Sequence, residues 1–313
     1  MSHNHSHDGH DHNHHVPDNF NKAFFVSIVL NLAFTIIEAV YAVFANSMSL
    51  LADAGHNFGD VLGLVFAWIA SLLLQKSANS MYSYGYKKAT IIASLLNALI
   101  LFFTCGILGY ESVVKLFNPD TVRALDIIIV AAIGVVVNGA TAFMFIRGAK
   151  DDLNIKGAYL HLLYDALVSV GVVIVGIAMM IGVYVAPEYT EYWYRLDPIA
   201  GILITIIIIL GTWGLLRESF KLVLDGVPAG VDLMEVKDYL QSIEGVVSVH
   251  DLHVWGLSTK ENALTCHLVI QGSDIDSKIH HEIEHYLKAN YKIEHITIQV
   301  EKDGAYCHSH CNN

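Results

Sequence analysis

Six stretches of the chain, near residues 23–45, 48–74, 89–114, 125–146, 159–184 and 197–217, are long and predominantly apolar. Lipid offers no partner to an exposed backbone N–H or C=O, so an apolar segment of about 20 residues reads as a helix that crosses a bilayer. Composition agrees: 54% of the residues are apolar, 15% are charged and the mean hydropathy is +0.48. Soluble chains carry roughly a quarter charged residues, so a wholly soluble globule is excluded. The 313 residues divide into a polar tail (1–21), a six-helix transmembrane domain (22–221), a soluble domain (222–303) and a short second tail (304–313). The N-terminus is a polar histidine tract and shows no cleavable signal.

Basic residues orient the spans, because loops on the cytoplasmic side hold the excess of Lys and Arg. With both termini inside, the inner loops hold Lys76, Lys87, Lys88, Arg147, Lys150 and Lys156, with Arg217 and Lys221 after the last span. The outer loops then hold only Lys115, Arg123 and Arg195. An aromatic cluster before Arg195 (Tyr189, Tyr192, Trp193, Tyr194) suits an interfacial belt.

After Gly226, Pro228 and Gly230 the periodicity changes. Asp232–Ile243 has helical spacing, Val246–Leu257 and Ala263–Ile270 alternate as strands, Lys278–Tyr291 is helical and His295–Val300 is a strand. The order α-β-β-α-β predicts an open sheet with two helices on one face, an α+β domain. A net charge of -12 excludes a nucleic-acid partner, whose phosphates need a basic surface, and favours a cationic one.

Polar groups inside a span are costly and point to function. The second span holds His56 and Asp60, the fifth His161 and Asp165. Each pair is spaced i, i+4, so each presents both side chains on one face of its helix. Two imidazoles and two carboxylates form a set suited to tetrahedral Zn²⁺, and the two negative charges neutralise the ion in a low-dielectric site. One such pair alone reads as well as an interhelical polar clamp; two matched pairs point to a shared metal site. Asp53 reads as a solvated charge near a helix N-terminus. Glu38 in the first span reads equally as a proton or cation way-station and as the cap of a water-filled vestibule.

Four motifs carry a family resemblance: Asn46-Ser-Met-Ser-Leu-Leu-Ala-Asp-Ala-Gly-His-Asn-Phe-Gly-Asp60, Tyr84-Gly-Tyr-Lys-Lys88, Asn154-Ile-Lys-Gly-Ala-Tyr-Leu-His-Leu-Leu-Tyr-Asp165 and His250-Asp-Leu-His-Val-Trp255. Over about residues 20–301 the chain resembles the cation diffusion facilitator family, in particular its zinc-transporting branch. The resemblance implies a homodimeric divalent-metal/proton antiporter with a cytoplasmic metallochaperone-like domain, working as an exporter in, for a bacterium, the inner membrane. It implies that His56, Asp60, His161 and Asp165 form the transport site and that Lys88 and Asp225 form a charge interlock at the dimer hinge. His250, His267, His281 and Glu301 resemble the positions of a cytoplasmic metal site, where zinc would act as regulator as well as substrate. One departure is clear: the loop from Gln75 to Lys88 has none of the Asp/His ligands that some members carry there.

Seven histidines among the first fifteen residues (His3, His5, His7, His10, His12, His14, His15) read as low-affinity metal capture. At the far end of the chain, Cys307-His-Ser-His-Cys311 offers ligands too cramped to complete one ion, so further ligands from elsewhere, or from a second chain, would be needed. His253, His280, His285 and His295 read as surface residues, Cys105 and Cys266 as buried small hydrophobes. Alternating access about the four-ligand site, with protons and metal competing for it, predicts antiport. A metallohydrolase is less favoured, since four protein ligands leave no open coordination position. Two further readings stay open: a membrane-anchored metal sensor without transport, and a transporter of Cd²⁺, Co²⁺ or Ni²⁺ in place of zinc.

Overall fold

The computed structural model describes residues 18–146, 153–271 and 277–302. The N-terminal histidines, Cys307 and Cys311 lie outside the described residues. Ahead of the soluble domain come α1 (Asp18–Ala45), α2 (Met48–Leu74), α3 (Ala89–Phe117), α4 (Ala124–Phe145), α5 (Leu153–Val185), the short α6 (Thr190–Tyr194) and α7 (Leu196–Val223). Among the described residues, six segments are long and apolar enough to cross a membrane. Large apolar side chains on them face outward, among them Val43, Phe103, Val136 and Leu210. In water that surface would be prohibitive; against lipid tails it is the ordinary exterior of a span. The helices run past several expected span ends because length is set by backbone hydrogen bonding, whereas hydropathy fades earlier; α7 carries Arg217 and Lys221 in its last turns.

The chain forms two compact units. One is built on α1, the start of α2, α4, α5 and the start of α7; the other on the rest of α2, α3, the rest of α7 and the soluble domain. In the first, Gly134 of α4 lets helices approach closely: a Cβ there would lie 2.7 Å from Phe34 of α1 and 3.1 Å from Ser169 of α5. The start of α2 is held by a carboxylate from another helix. Asp197, with 0% exposure, accepts from Ser47 Oγ (2.6 Å), Met48 N (2.6 Å), Ser49 N (3.2 Å) and Ser49 Oγ (2.6 Å). It thereby satisfies two of the orphan N–H groups that every helix start presents. The turn before α2 places Asn46 at φ 57, and Lys115 of α3 bonds its side chain.

The soluble domain runs α8 (Leu233–Gln241), β1 (Val246–Gly256), β2 (Asn262–Ile270), α9 (Ser277–Tyr291) and β3 (Ile293–Lys302). Asp232 caps α8 by accepting from Met234 N and Glu235 N. The sheet order is β1-β2-β3, antiparallel then parallel, with α9 as the crossover between the parallel strands. Leu264, Cys266, Leu268 and Ile270 on one face of β2 pack with Val236 and Leu240 of α8 and Ile283 and Leu287 of α9. Period-2 alternation therefore leaves His267 on the opposite face, away from both helices.

Candidate functional site

Position 56 on α2 and positions 161 and 165 on α5 form one group inside the first unit. Asp165 is 3% exposed, and its two carboxylate oxygens meet different imidazoles: Oδ1 lies 3.6 Å from His56 Nε2 and Oδ2 lies 3.6 Å from His161 Nε2. The two rings stand edge to face with centroids 5.9 Å apart. A separation of 3.6 Å is too long for a good hydrogen bond. It is close to the ~3.3 Å between neighbouring ligand atoms that Zn–N and Zn–O bonds of about 2.0–2.1 Å imply in a tetrahedron. Asp60 follows His56 by one helical turn, and ligand atoms of these two come within 4.8 Å of one another. The donor set is imidazole and carboxylate only, which suits Zn²⁺ and its first-row neighbours and disfavours Ca²⁺ or Mg²⁺, whose coordination is built from oxygen.

The surroundings of this group differ from the sequence reading at one position. Asp53 is not a solvated helix-end charge: it is 0% exposed, and Ser169 of α5 donates to its Oδ2 at 3.0 Å. The reason is packing, since the face of α2 that carries His56 also carries Asp53 and turns both toward α5. Glu38 of α1 is equally buried and accepts from Asn57 Nδ2 at 3.0 Å. Sequence reasoning missed Ser169 and Asp197. Ser169 stands one turn after Asp165, a spacing that could have flagged it.

A second group lies in the soluble domain, on the sheet face opposite the helices. His250 and His267 are directly paired across β1 and β2, and Glu301 comes from β3. Glu301 Oε2 lies 3.4 Å from His250 Nε2, and Oε1 lies 3.0 Å from His267 Nδ1. The imidazole rings stand 5.1 Å apart at 79°. His281 lies exposed on α9 and does not join this group. Asp251, which sequence reasoning did not single out, does approach it. An irregularity in the ladder between His250 and His253 puts Asp251 at φ 52, with Oδ2 3.5 Å from His267 Nε2 and Oδ1 3.0 Å from His253 Nε2. The hydrogen bond to His253, with the charges of His253, His267 and His250, holds the Asp251 carboxyl below its ordinary range. His253 thus has a carboxylate partner, though its ring stays on the surface.

Lys88 and Asp225 meet within one chain, Nζ to Oδ1 at 2.6 Å, both largely exposed. Beside them Lys87 Nζ lies 2.5 Å from Glu261 Oε2, and Thr259 N donates to Thr90 Oγ1 at 3.1 Å. The β1–β2 turn is therefore tied to the start of α3 by two bonds that no motif or spacing announces.

Two family models match in chain order. The one described as cation efflux transmembrane domain covers residues 24–224, and the one described as cation efflux protein, cytoplasmic domain, covers residues 228–303. A relative from Bacillus subtilis (strain 168), named cadmium, cobalt and zinc/H(+)-K(+) antiporter, is 32% identical over 96% of this chain and 94% of its own length. The zinc transporter ZitB of Escherichia coli (strain K12) is 31% identical over 98% and 96% respectively. The solved metal-bound C-terminal domain of the CzcD transporter from Cupriavidus metallidurans is 36% identical, covers 23% of this chain and 99% of that one, and superposes with a TM-score of 0.21. Matched across both its apolar spans and its sheet domain, the chain belongs to the cation efflux family of multi-pass membrane transporters, which is the family its motifs resemble.

Proposed function

We propose that this transporter exports Zn²⁺ in exchange for protons, by alternating access about His56, Asp60, His161 and Asp165. The observation that carries the reading is the placement of both Asp165 oxygens at 3.6 Å from the imidazoles of His56 and His161, within apolar spans. A buried carboxylate set between two imidazoles is expensive unless a cation joins it. With Asp60 as the fourth ligand, the ion's two charges are balanced by two carboxylates. Metal binding needs neutral imidazole and ionised carboxylate, so protons and metal displace one another from the same atoms. Histidine suits this exchange, because its ordinary pKa near 6.5 lets mild acid on the receiving side release the ion. The names of the Bacillus subtilis and Escherichia coli relatives support zinc and proton as the exchanged ions.

The basic inner loops support cytoplasmic termini and a bacterial inner-membrane setting. The cytoplasmic-domain match and the Lys88–Asp225 pair support a homodimer hinged there. His250, His267 and Glu301 support a regulatory zinc in the cytoplasm, with Asp251 better placed than His281 to join them.

The test is flux in liposomes that hold a zinc dye and a pH dye. Zinc entry coupled to opposite proton movement in the wild type, and lost in His161→Ala, is the expected result. Zinc binding without flux in the wild type would instead favour the sensor.

A further inference from the structure

One buried acidic pair beside the metal ligands has no part in the exchange described so far. Glu38 of α1 and Asp53 of α2 are both 0% exposed, and they are neighbours: Asn57, which donates to Glu38, stands one turn after Asp53 on the same face of α2. Each has one oxygen satisfied: Glu38 Oε2 by Asn57 Nδ2 and Asp53 Oδ2 by Ser169 Oγ, both at 3.0 Å. Each has its second oxygen, Glu38 Oε1 and Asp53 Oδ1, buried with no donor. Ionised carboxylates only accept, so this pair lacks one donor between two acceptors. The charged groups that face it are Asp165 of α5, toward both, and His56 of α2, toward Asp53; among the described residues no Lys or Arg joins them.

One proton supplies what is missing. Protonated on either group, the pair makes an O–H···O⁻ bond, and two negative charges in contact become one, the arrangement by which paired carboxyls elsewhere share a proton. A hard metal cation would need about six oxygen ligands, and the pair itself offers two open ones.

We propose that Glu38 and Asp53 form a separate proton site, which holds one shared proton while the metal site is empty and gives it up when zinc binds. This rests on the antiport reading and adds to it a proton that is not held on any metal ligand. The step breaks one O–H bond of the pair. It leaves two carboxylates, and the proton passes to water; nothing is oxidised or reduced. The drive is charge: Asn57 adjoins His56 and Ser169 stands one turn from Asp165, so the ion's two positive charges arrive next to the pair and take the proton's place. By linkage, the same coupling makes protonation of the pair weaken zinc binding.

The experiment counts protons. Zinc is titrated into the full-length protein in detergent by calorimetry in buffers of different ionisation enthalpy, in a background in which His250→Ala and Glu301→Gln remove the cytoplasmic ligands. Asp165→Asn serves as the blank for the terminal tails. Glu38→Gln, whose amide can donate to Asp53 where the proton did, is expected to release about one proton fewer per transport-site zinc. Its zinc affinity should then change about tenfold less per pH unit than the wild type's. Infrared difference spectra should show a protonated-carboxyl C=O band that zinc removes from the wild type and that is absent from Glu38→Gln.

Equal proton release by wild type and Glu38→Gln overturns the proton site and leaves the antiport reading standing. Zinc binding to the wild type with no proton release overturns both. If Glu38→Gln does not fold, the wild-type infrared spectrum decides alone, and the absence of a zinc-sensitive carboxyl band overturns the proposal.

Discussion

Replacing Asp197 by Ala should loosen α2 at its first turn and lower the protein's thermal stability sharply. Four donors converge on that one fully buried carboxylate, three of them at 2.6 Å. Hydrogen bonds to charged groups contribute about 1.5–3 kcal/mol each, but bonds that share an acceptor are not additive. Alanine leaves the four donors without their acceptor, and the two serine hydroxyls can rotate to new partners. The two backbone N–H groups of Met48 and Ser49 cannot. The expected loss is thus about 3–5 kcal/mol, the range for a broken buried polar network. At roughly 2 °C per kcal/mol for a chain of this size, the apparent Tm should fall by about 6–10 °C. The assay is thermal unfolding in detergent at a fixed scan rate, followed by the fraction remaining monodisperse. Asp120→Ala, an exposed loop acid, is the control and should leave the Tm unchanged. Ser49→Ala should cost less than Asp197→Ala, and the double variant should match Asp197→Ala closely, because the serine's bond is already gone. A Tm for Asp197→Ala within ~1 °C of wild type would refute the reasoning that this carboxylate secures the helix start.

Further consequences follow from particular side chains. Burial pushes the Cys266 thiol up to about 12, so near pH 8 it is protonated; iodoacetamide should spare it in folded protein and label it after denaturation, and rapid labelling of the native state would contradict the packed sheet. Gly134→Val would drive a side chain into Phe34 and Ser169 and should destabilise by about 1–3 kcal/mol, read as a lower Tm with unchanged oligomeric state. Glu301→Gln should abolish one zinc-binding event in calorimetry of the full chain while His281→Ala leaves it intact; the reverse pattern would place the cytoplasmic ligand on α9.

The six spans are legible in the sequence because lipid enforces long apolar runs, and the soluble elements because α8, α9 and the strands each show a clean period. The His–Asp pairs are legible for a related reason: an i, i+4 repeat survives translation into a helix face whatever that helix packs against. What packs against what is not written in this way. Asp53 has the same local sequence whether its face of α2 meets water or α5, and only the neighbour carrying Ser169 decides. Asp197 reads as an ordinary acid in a first helical turn, yet it serves the start of a different helix about 150 positions away. Asp251 joins the cytoplasmic histidines through a ladder irregularity that alternation alone would not place, since strict period 2 sends it to the face opposite His250.

The central claim is that histidine and carboxylate from α2 and α5 hold the transported ion together. Zinc X-ray absorption tests it most directly, on protein lacking both tails and the cytoplasmic ligands His250 and Glu301. The account predicts one bound zinc with four nitrogen and oxygen ligands at about 2.0–2.1 Å, two of them imidazole, and loss of that zinc in Asp165→Asn. A spectrum with sulfur at about 2.3 Å, or one unchanged by Asp165→Asn, would contradict it.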